Sequence, residues 1–383
     1  MKIIEIGNTG QMVSSIGQGC MGIGGNFVKN KNLDNQSLWA LEYGIDLGMT
    51  FLDTAEIYAN GHSEILVGKA AKNKRDKVFI ATKFSPENNG YNKVLSSAES
   101  SLRRLNTNYI DLYQIHWPNP SIPIAETMMA LEKLLKDGKI RFIGLSNFSC
   151  KEMQEAQNCI NPLKIVSNQL EYNLFDRYIE KSVMPFMFKN KSSIIAYSPL
   201  DKGMMHNDIK KNQLMKILCQ KYNKTISQIS LNWLLSHDNV IVIPKSINKN
   251  HLEKNSTSSD FKMDLDDIQK ISKIFSSNPK FISSNKIKVD FKRGEYRKTY
   301  KNIEEAIENK FNMKPNPSDL AKSILAGEPI KPVRVTPCNL KKNYEFRLVE
   351  GHLRFWAWNI AYKGLKDIPC LIRKNSKQNY NDY

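Results

Sequence analysis

The chain has 383 residues. That is too many for one ordinary core and too few for three, so one domain of about 250 to 280 residues beside a smaller one is expected. A net charge of +18 favours anionic partners, but the lysines are scattered rather than clustered, which argues for a solvated surface over a nucleic-acid footprint. The six cysteines show neither a CxxC pair nor ligand-like spacing, so no metal site is expected and a reducing compartment suits them; no apolar run approaches the roughly 18 residues of a membrane span. A soluble, cytoplasmic protein is the expectation.

Residues 1–25 hold two short apolar stretches split by Gly7-Asn8-Thr9-Gly10, a hairpin signal, and end in the glycine-rich Gly17-Gln18-Gly19-Cys20-Met21-Gly22. Apolar residues at helical spacing then recur near 34–48, 62–72, 92–105, 124–137, 149–158, 176–189, 210–222 and 226–236. Between them lie β-rich runs at 50–52, 78–82, 110–115, 140–145, 165–168, 194–196 and 240–243. With the glycine-rich run these make eight strands. Strands of the buried type alternating with helices pair in parallel, and eight such units point to an α/β fold of the (β/α)8 TIM-barrel type. An open doubly wound sheet is the alternative.

A barrel carries its chemistry just beyond the C-terminal ends of its strands. Those positions hold Asp53, Lys83, His116, Ser146 with Asn147, Gln169, Tyr197, and Lys245 with Ser246. Each has an ordinary explanation when taken singly: an Asp caps a helix, a Lys is solvated, and a His before Trp117-Pro118 sits in a turn. A polar or ionisable residue at every successive end is a pattern that these separate explanations do not cover.

Tyr58, five positions after Asp53, is within reach of the same corner. If Lys83 is buried beside both, the carboxylate holds the ammonium and the ammonium draws the phenol pKa from about 10 toward neutrality, which makes Tyr58 a proton donor. His116 adds a hydrogen bond that orients a carbonyl oxygen. No Ser or Cys nucleophile with a base partner accompanies them, and no carboxylate pair suits a glycosidase or a metal. A tyrosine acid without a nucleophile calls for a cofactor that delivers hydride.

The runs Gly48-x-x-Phe51-x-Asp53-Thr54-Ala55-x-x-Tyr58, Ile80-Ala81-Thr82-Lys83, Asp111-Leu112-Tyr113-Gln114-Ile115-His116, Ile143-Gly144-Leu145-Ser146-Asn147-Phe148 and Ile243-Pro244-Lys245-Ser246 resemble the successive motifs of the aldo-keto reductase family over residues 1–275. The resemblance implies a catalytic tetrad of Tyr58, Asp53, Lys83 and His116 that reduces a small-molecule carbonyl substrate. It also implies an extended NADPH at the barrel mouth. Ser146, Asn147 and Gln169 would hold the carboxamide, and Tyr197 would stack on the nicotinamide with Ser198, Leu200 and Pro244 alongside. Lys245 and Ser246 match positions that hold the 2′-phosphate, and Asn255 one that contacts adenine. Where many members carry an arginine for that phosphate, this chain has His251, which cannot supply a bidentate fork. The short loops after His116 and Tyr197 suggest low walls and a polar substrate such as a sugar or hydroxy-aldehyde.

A helix is expected over 264–275, followed by a linker over 276–285, a second domain over 286–374 and a polar tail over 375–383. In the second domain strands are expected near 287–291, 329–335, 344–349 and 368–372. Helices are expected over 303–311, from a Ser318 cap through 325, and over 355–362. Glu350-Gly351-His352-Leu353-Arg354 puts a glycine, a histidine and an arginine at a strand-to-helix turn, which suits either a structural cap or a phosphate site. Together with Pro329-Ile330-x-Pro332-Val333 and Ile368-Pro369-Cys370, this turn resembles the ParB N-terminal/sulfiredoxin-like α+β fold. The resemblance implies a nucleotide or phosphate at Glu350, Gly351, His352 and Arg354. Gly351 stands where the sulfiredoxin cysteine would be, and no helix-turn-helix follows, so peroxiredoxin repair and DNA partitioning are not expected. A nucleotide-sensing regulatory protein, or a bifunctional reductase with a kinase-like second domain, is the alternative to a simple reductase.

Overall fold

The structure is a computed structural model that describes residues 1–201, 209–275, 279–290, 299–313, 315–328, 330–338 and 344–372. Strands β1 (Ile3–Glu5) and β2 (Met12–Ser14) form the expected antiparallel hairpin. Eight strands follow in parallel: β3 (Gln18–Gly19), β4 (Phe51–Asp53), β5 (Phe79–Phe84), β6 (Ile110–Ile115), β7 (Ile140–Ser146), β8 (Ile165–Glu171), β9 (Ser193–Tyr197) and β10 (Val240–Val242). Their spatial order is their chain order. A parallel bridge from Ile16 to Val242, with Gly17 N–H donating to the Val242 carbonyl at 2.8 Å, joins the last strand to the first. The sheet is therefore a closed barrel, and the open alternative falls away.

The strands are apolar because both of their faces are covered. Inside the barrel, Phe51, Phe79, Leu112, Val166, Ile195 and Ile241 meet Ile6 and Val13, so the hairpin and these side chains fill the end opposite the polar strand ends. Outside, the sheet is buried by α1 (Asp34–Asp46), α2 (His62–Ala71), α3 (Tyr91–Leu105), α4 (Ile124–Lys136), α5 (Cys150–Ile160), α6 (Val183–Lys189), α7 (Ile209–Tyr222) and α8 (Ile226–Leu235). The helix expected over 176–189 is divided at Ser182, whose φ of −140° is not helical, into a short turn and α6. Two more helices complete this unit, α9 (Lys249–Ser256) and α10 (Leu265–Ile274). Apolar spacing does not reveal α9, since Leu252 is its one buried apolar residue; Asn248 starts it by accepting from the His251 N–H at 3.2 Å.

Residues 277–383 form a second compact unit. Strands β11 (Lys280–Ile282), β12 (Ile287–Lys288), β13 (Val333–Pro337), β14 (Phe346–Glu350) and β15 (Ile368–Ile372) pair in the order β11-β15-β13-β14-β12. Helices α11 (Ile303–Ile307), α12 (Pro317–Leu325) and α13 (His352–Tyr362) accompany them. Val333, Val335, Leu348, Phe355 and Ile368 make its core, and α12 meets α13 through Ala321, Ile324 and Ala357. The stretch expected as linker is different: 276–278 lie outside the described residues, while Lys280–Ile282 is an edge strand on β15. Asn316 rather than Ser318 caps α12, because Pro317 takes the first helical position and the Asn316 side chain accepts the Ser318 N–H at 2.9 Å. The 375–383 tail lies outside the described residues.

Candidate active site

Four side chains from four elements meet at the polar end of the barrel. Asp53 closes β4, Lys83 lies in β5, His116 follows β6, and Tyr58 opens a tight turn before α2; all four are buried. Lys83 Nζ donates to Asp53 Oδ2 at 2.7 Å and to the Thr54 carbonyl at 2.9 Å, and lies 5.2 Å from the centre of the Tyr58 ring. The His116 ring stands edge-on to Tyr58 with centroids 5.9 Å apart. Its Nδ1 is buried without a partner among the described residues.

Burial works against the Lys83 charge, but the Asp53 carboxylate and the Tyr58 hydroxyl outweigh it, so the lysine stays protonated with its pKa above the ordinary value. For Tyr58 the balance goes the other way from the sequence expectation. Burial raises the phenol pKa by more than Lys83 lowers it, so the net shift is upward and not toward neutrality. The hydroxyl therefore holds its proton at neutral pH. His116 is pushed well below its usual value, first by burial and then by the Lys83 charge, so its ring is neutral.

The other expected mouth residues are brought to the same end. Gln169 Nε2 donates to Asp53 Oδ1 at 2.7 Å, which ties this amide to the carboxylate that holds Lys83 and leaves its second N–H and its Oε1 for other partners. Ser146 Oγ donates to the Gln169 carbonyl at 3.1 Å. Asn147 sits at a φ of +64°, a region asparagine tolerates, which turns its Nδ2 onto the His116 carbonyl at 3.1 Å while its Oδ1 accepts from the Tyr197 hydroxyl at 3.1 Å. Ser198 has a φ of +48° and its carbonyl accepts from Asn173, and Leu200 packs on the core. The Pro244 carbonyl accepts from Gly19 N–H at 3.2 Å. Here glycine is required, since a Cβ on Gly19 would lie 2.7 Å from the Ile243 carbonyl oxygen. Lys245 is exposed, with no carboxylate influencing it among the described residues, and partial desolvation lowers its pKa. Ser246 is engaged with Asn248, and Asn255 and His251 lie on α9, buried and exposed respectively.

Two groups at the site escaped the sequence reading. Gln114 in β6 places Nε2 3.5 Å from Asp53 Oδ1, and the one signal for it was a polar residue inside an apolar strand. Behind β5, fully buried Glu64 accepts from Thr82, the neighbour of Lys83, and pairs with Arg104; these two positions look like ordinary helix-face charges in sequence.

In the second unit, Glu350, Gly351, His352 and Arg354 do come together where β14 enters α13, with Gly351 at a φ of +93°. Arg354 Nη1 donates to the Lys331 and Pro332 carbonyls at 2.8 and 3.0 Å, which ties the entry of β13 to the helix. Glu350 accepts from Arg334 at 2.8 Å. Among the described residues no cluster of three or more His, Cys, Asp or Glu could hold a metal, and no helix is long and apolar enough to cross a membrane.

Known proteins resemble this chain in sequence and in fold. Methylglyoxal reductase YeaE of Escherichia coli (strain K12) is 38% identical over 243 residues, which are 63% of this chain and 84% of that protein. Glyoxal reductase of Bacillus subtilis (strain 168) is 34% identical over 237 residues, 62% and 83% of the two chains. Among solved structures, the aldo-keto reductase Tm1743 matches with a TM-score of 0.69 at 36% identity, covering 72% of this chain and all of that one. An aldo-keto reductase from Klebsiella pneumoniae in complex with NADPH matches with a TM-score of 0.66 at 31% identity, covering 72% and 95%. Residues 15–275 match the aldo/keto reductase family itself, and with the barrel and its mouth as described the chain belongs to that family.

Proposed function

We propose that this protein is an NADPH-dependent reductase of small carbonyl compounds, with 2-oxoaldehydes of the methylglyoxal and glyoxal type as its substrates and Tyr58 as its proton donor. The observation that carries the reading is the buried Tyr58–Lys83–Asp53 chain with neutral His116 beside it. The substrate class rests on the two reductases named above.

The residues at the mouth fit the cofactor. Lys245 is a partly desolvated cation without a carboxylate partner among the described residues, which suits a phosphate, and its amine borders Gly22, where a Cβ would come within 3.5 Å. Asn147 and Tyr197 are held together over the strand ends, where a flat ring would lie. Bound there, NADPH would supply the hydride for the carbonyl carbon. The protein's own part is the proton: Tyr58, uncharged, offers its hydroxyl to the carbonyl oxygen, and Lys83 steadies the phenolate left behind. Asp53 keeps Lys83 in place and is itself fixed by Gln169. Neutral His116 orients the oxygen without competing for the proton.

Following NADPH absorbance with a panel of 2-oxoaldehydes, sugars and hydroxy-aldehydes tests this. Tyr58→Phe should lower kcat by about a hundredfold or more while NADPH still binds. Equal, slow turnover of every substrate by wild type and Tyr58→Phe would overturn the reductase reading and leave a nucleotide-sensing protein. Sugars turned over faster than 2-oxoaldehydes would move the substrate class.

A second reading concerns 286–374 as a ParB/sulfiredoxin-like domain that binds nucleotide or phosphate. One observation favours it: α13 begins at left-handed Gly351 with no side-chain cap hydrogen bond, the kind of helix start at which backbone amides and the helix dipole favour an anion.

A further inference from the structure

We propose that Arg104, acting through Glu64, is a positioning residue for the tetrad: it holds both the backbone turn that follows Tyr58 and the strand that carries Lys83. The proposal rests on Tyr58 and Lys83 acting as proposed above.

Three consecutive residues after Tyr58 are left-handed, Ala59 at φ +50°, Asn60 at +53° and Gly61 at +81°. Glycine adopts this backbone freely and asparagine tolerates it, but alanine does so only where its surroundings impose it. One restraint is the Ala59 N–H, which donates to the Asn26 carbonyl at 2.5 Å. The other is Arg104. Its side chain lies across Gly61 so closely that a Cβ there would be 2.7 Å from Cδ and 2.9 Å from Nε.

Arg104 is fixed in turn. Nε donates to Glu64 Oε2 at 2.5 Å, and Nη2 to Ser101 Oγ at 3.2 Å. Glu64, on α2, is fully buried, and its Oε1 accepts from Thr82 Oγ1 at 2.7 Å. Thr82 precedes Lys83, and alternation along β5 sends the threonine outward to the helices and the lysine inward to the site. One ion pair thus spans α3, α2, the Tyr58 turn and β5. Without Arg104 the buried carboxylate loses the charge that offsets its burial, so it takes up a proton or turns away, and both anchors loosen.

Neither residue touches the reacting atoms, so removing the pair should change kcat and spare cofactor binding. In the full-length protein, Arg104→Met should lower kcat at least about tenfold. The NADPH Kd and the number of sites per chain, read by fluorescence titration, should hold within about twofold, a limit of roughly 0.4 kcal/mol. Arg104→Lys should recover most of the rate. Glu64→Gln should resemble Arg104→Met, and the double variant should be no slower than either. Wild-type kcat per NADPH site in Arg104→Met overturns the proposal, as does a loss matched by an equal loss of NADPH sites, which marks a merely structural role. If Arg104→Met does not fold, Glu64→Gln and Thr82→Val carry the test with the same outcomes. Inactivity of wild type together with Tyr58→Phe would instead sink the reductase reading.

Discussion

At the scale of single residues the site is a contest between burial and charge, and the contest decides pH behaviour. Because burial lifts the Tyr58 pKa above its ordinary value of about 10, the proposed proton donor stays protonated through the neutral range. His116, held neutral, takes up no proton until well below its usual value near 6.5. The kcat for carbonyl reduction should therefore be level from about pH 6 to about pH 9 and fall only at higher pH, as the phenol ionises. A kcat that declines with a midpoint near neutrality would mean that Lys83 wins after all. On the proposed reading, charge also sets cofactor choice. Lys245 has no carboxylate beside it among the described residues, so the 2′-phosphate of NADPH would be its partner. Lys245→Ala should cost about 1.5 to 3 kcal/mol of NADPH binding, roughly ten- to a hundredfold, and leave NADH nearly unchanged. With an imidazole at residue 251 and only the neutral Ser246 hydroxyl beside Lys245 for the phosphate, most of the effect should appear in the single variant. Equal weakening of both cofactors would show that the lysine does not read the phosphate.

Elements differ in how openly the sequence announces them. The strands β4 to β10 were legible because an apolar run that is buried on both faces and ends in a polar residue has few other meanings. Asp53, Lys83 and His116 were legible for the same reason, as polar residues at or near strand ends, while Tyr58 was found only by its distance of five positions from Asp53. What could not be read was partnership. Gln169 reaches across 116 positions to Asp53, and Arg104 crosses from α3 to Glu64 on α2; no local pattern encodes either choice. Helix α9 was hidden by its polarity, and β11 by the Ser-Asn-Lys composition around it. The turn into α13 shows the same limit, since the sequence places Arg354 on the turn but does not reveal the two carbonyls of the chain entering β13 that its Nη1 binds. With that nitrogen engaged, backbone amides would do most of the work if the turn binds phosphate. Titrating the full chain with ATP by calorimetry, with NADPH saturating the barrel, should then give heat that survives Arg354→Ala as long as the variant stays folded. No heat in either protein would leave the turn as a structural cap.

At the scale of the whole molecule, the chain is two units with separate interiors. The barrel closes on itself through Ile16 and Val242, so its sheet has no edge on which a further strand could add. The second sheet is built wholly from strands after residue 279, among the described residues, and its first strand, β11, pairs with its last, β15. That pairing stitches the start of the second unit to its end, so a cut inside 280–372 would break this sheet, while a cut at 276 breaks neither. The two apolar cores likewise contain no residue in common, the barrel's ending at Phe275 and the second beginning at Ile282. A protein comprising residues 1–276 should therefore unfold in one cooperative step and keep the kcat and NADPH affinity of the full chain within about twofold. Ending the chain at 362 instead removes β15, leaves β11 unpaired, and should melt the second unit while the barrel transition stays where it was. Loss of reductase activity in the 1–276 protein, with its fold intact by circular dichroism, would show that the second unit serves the barrel's chemistry directly.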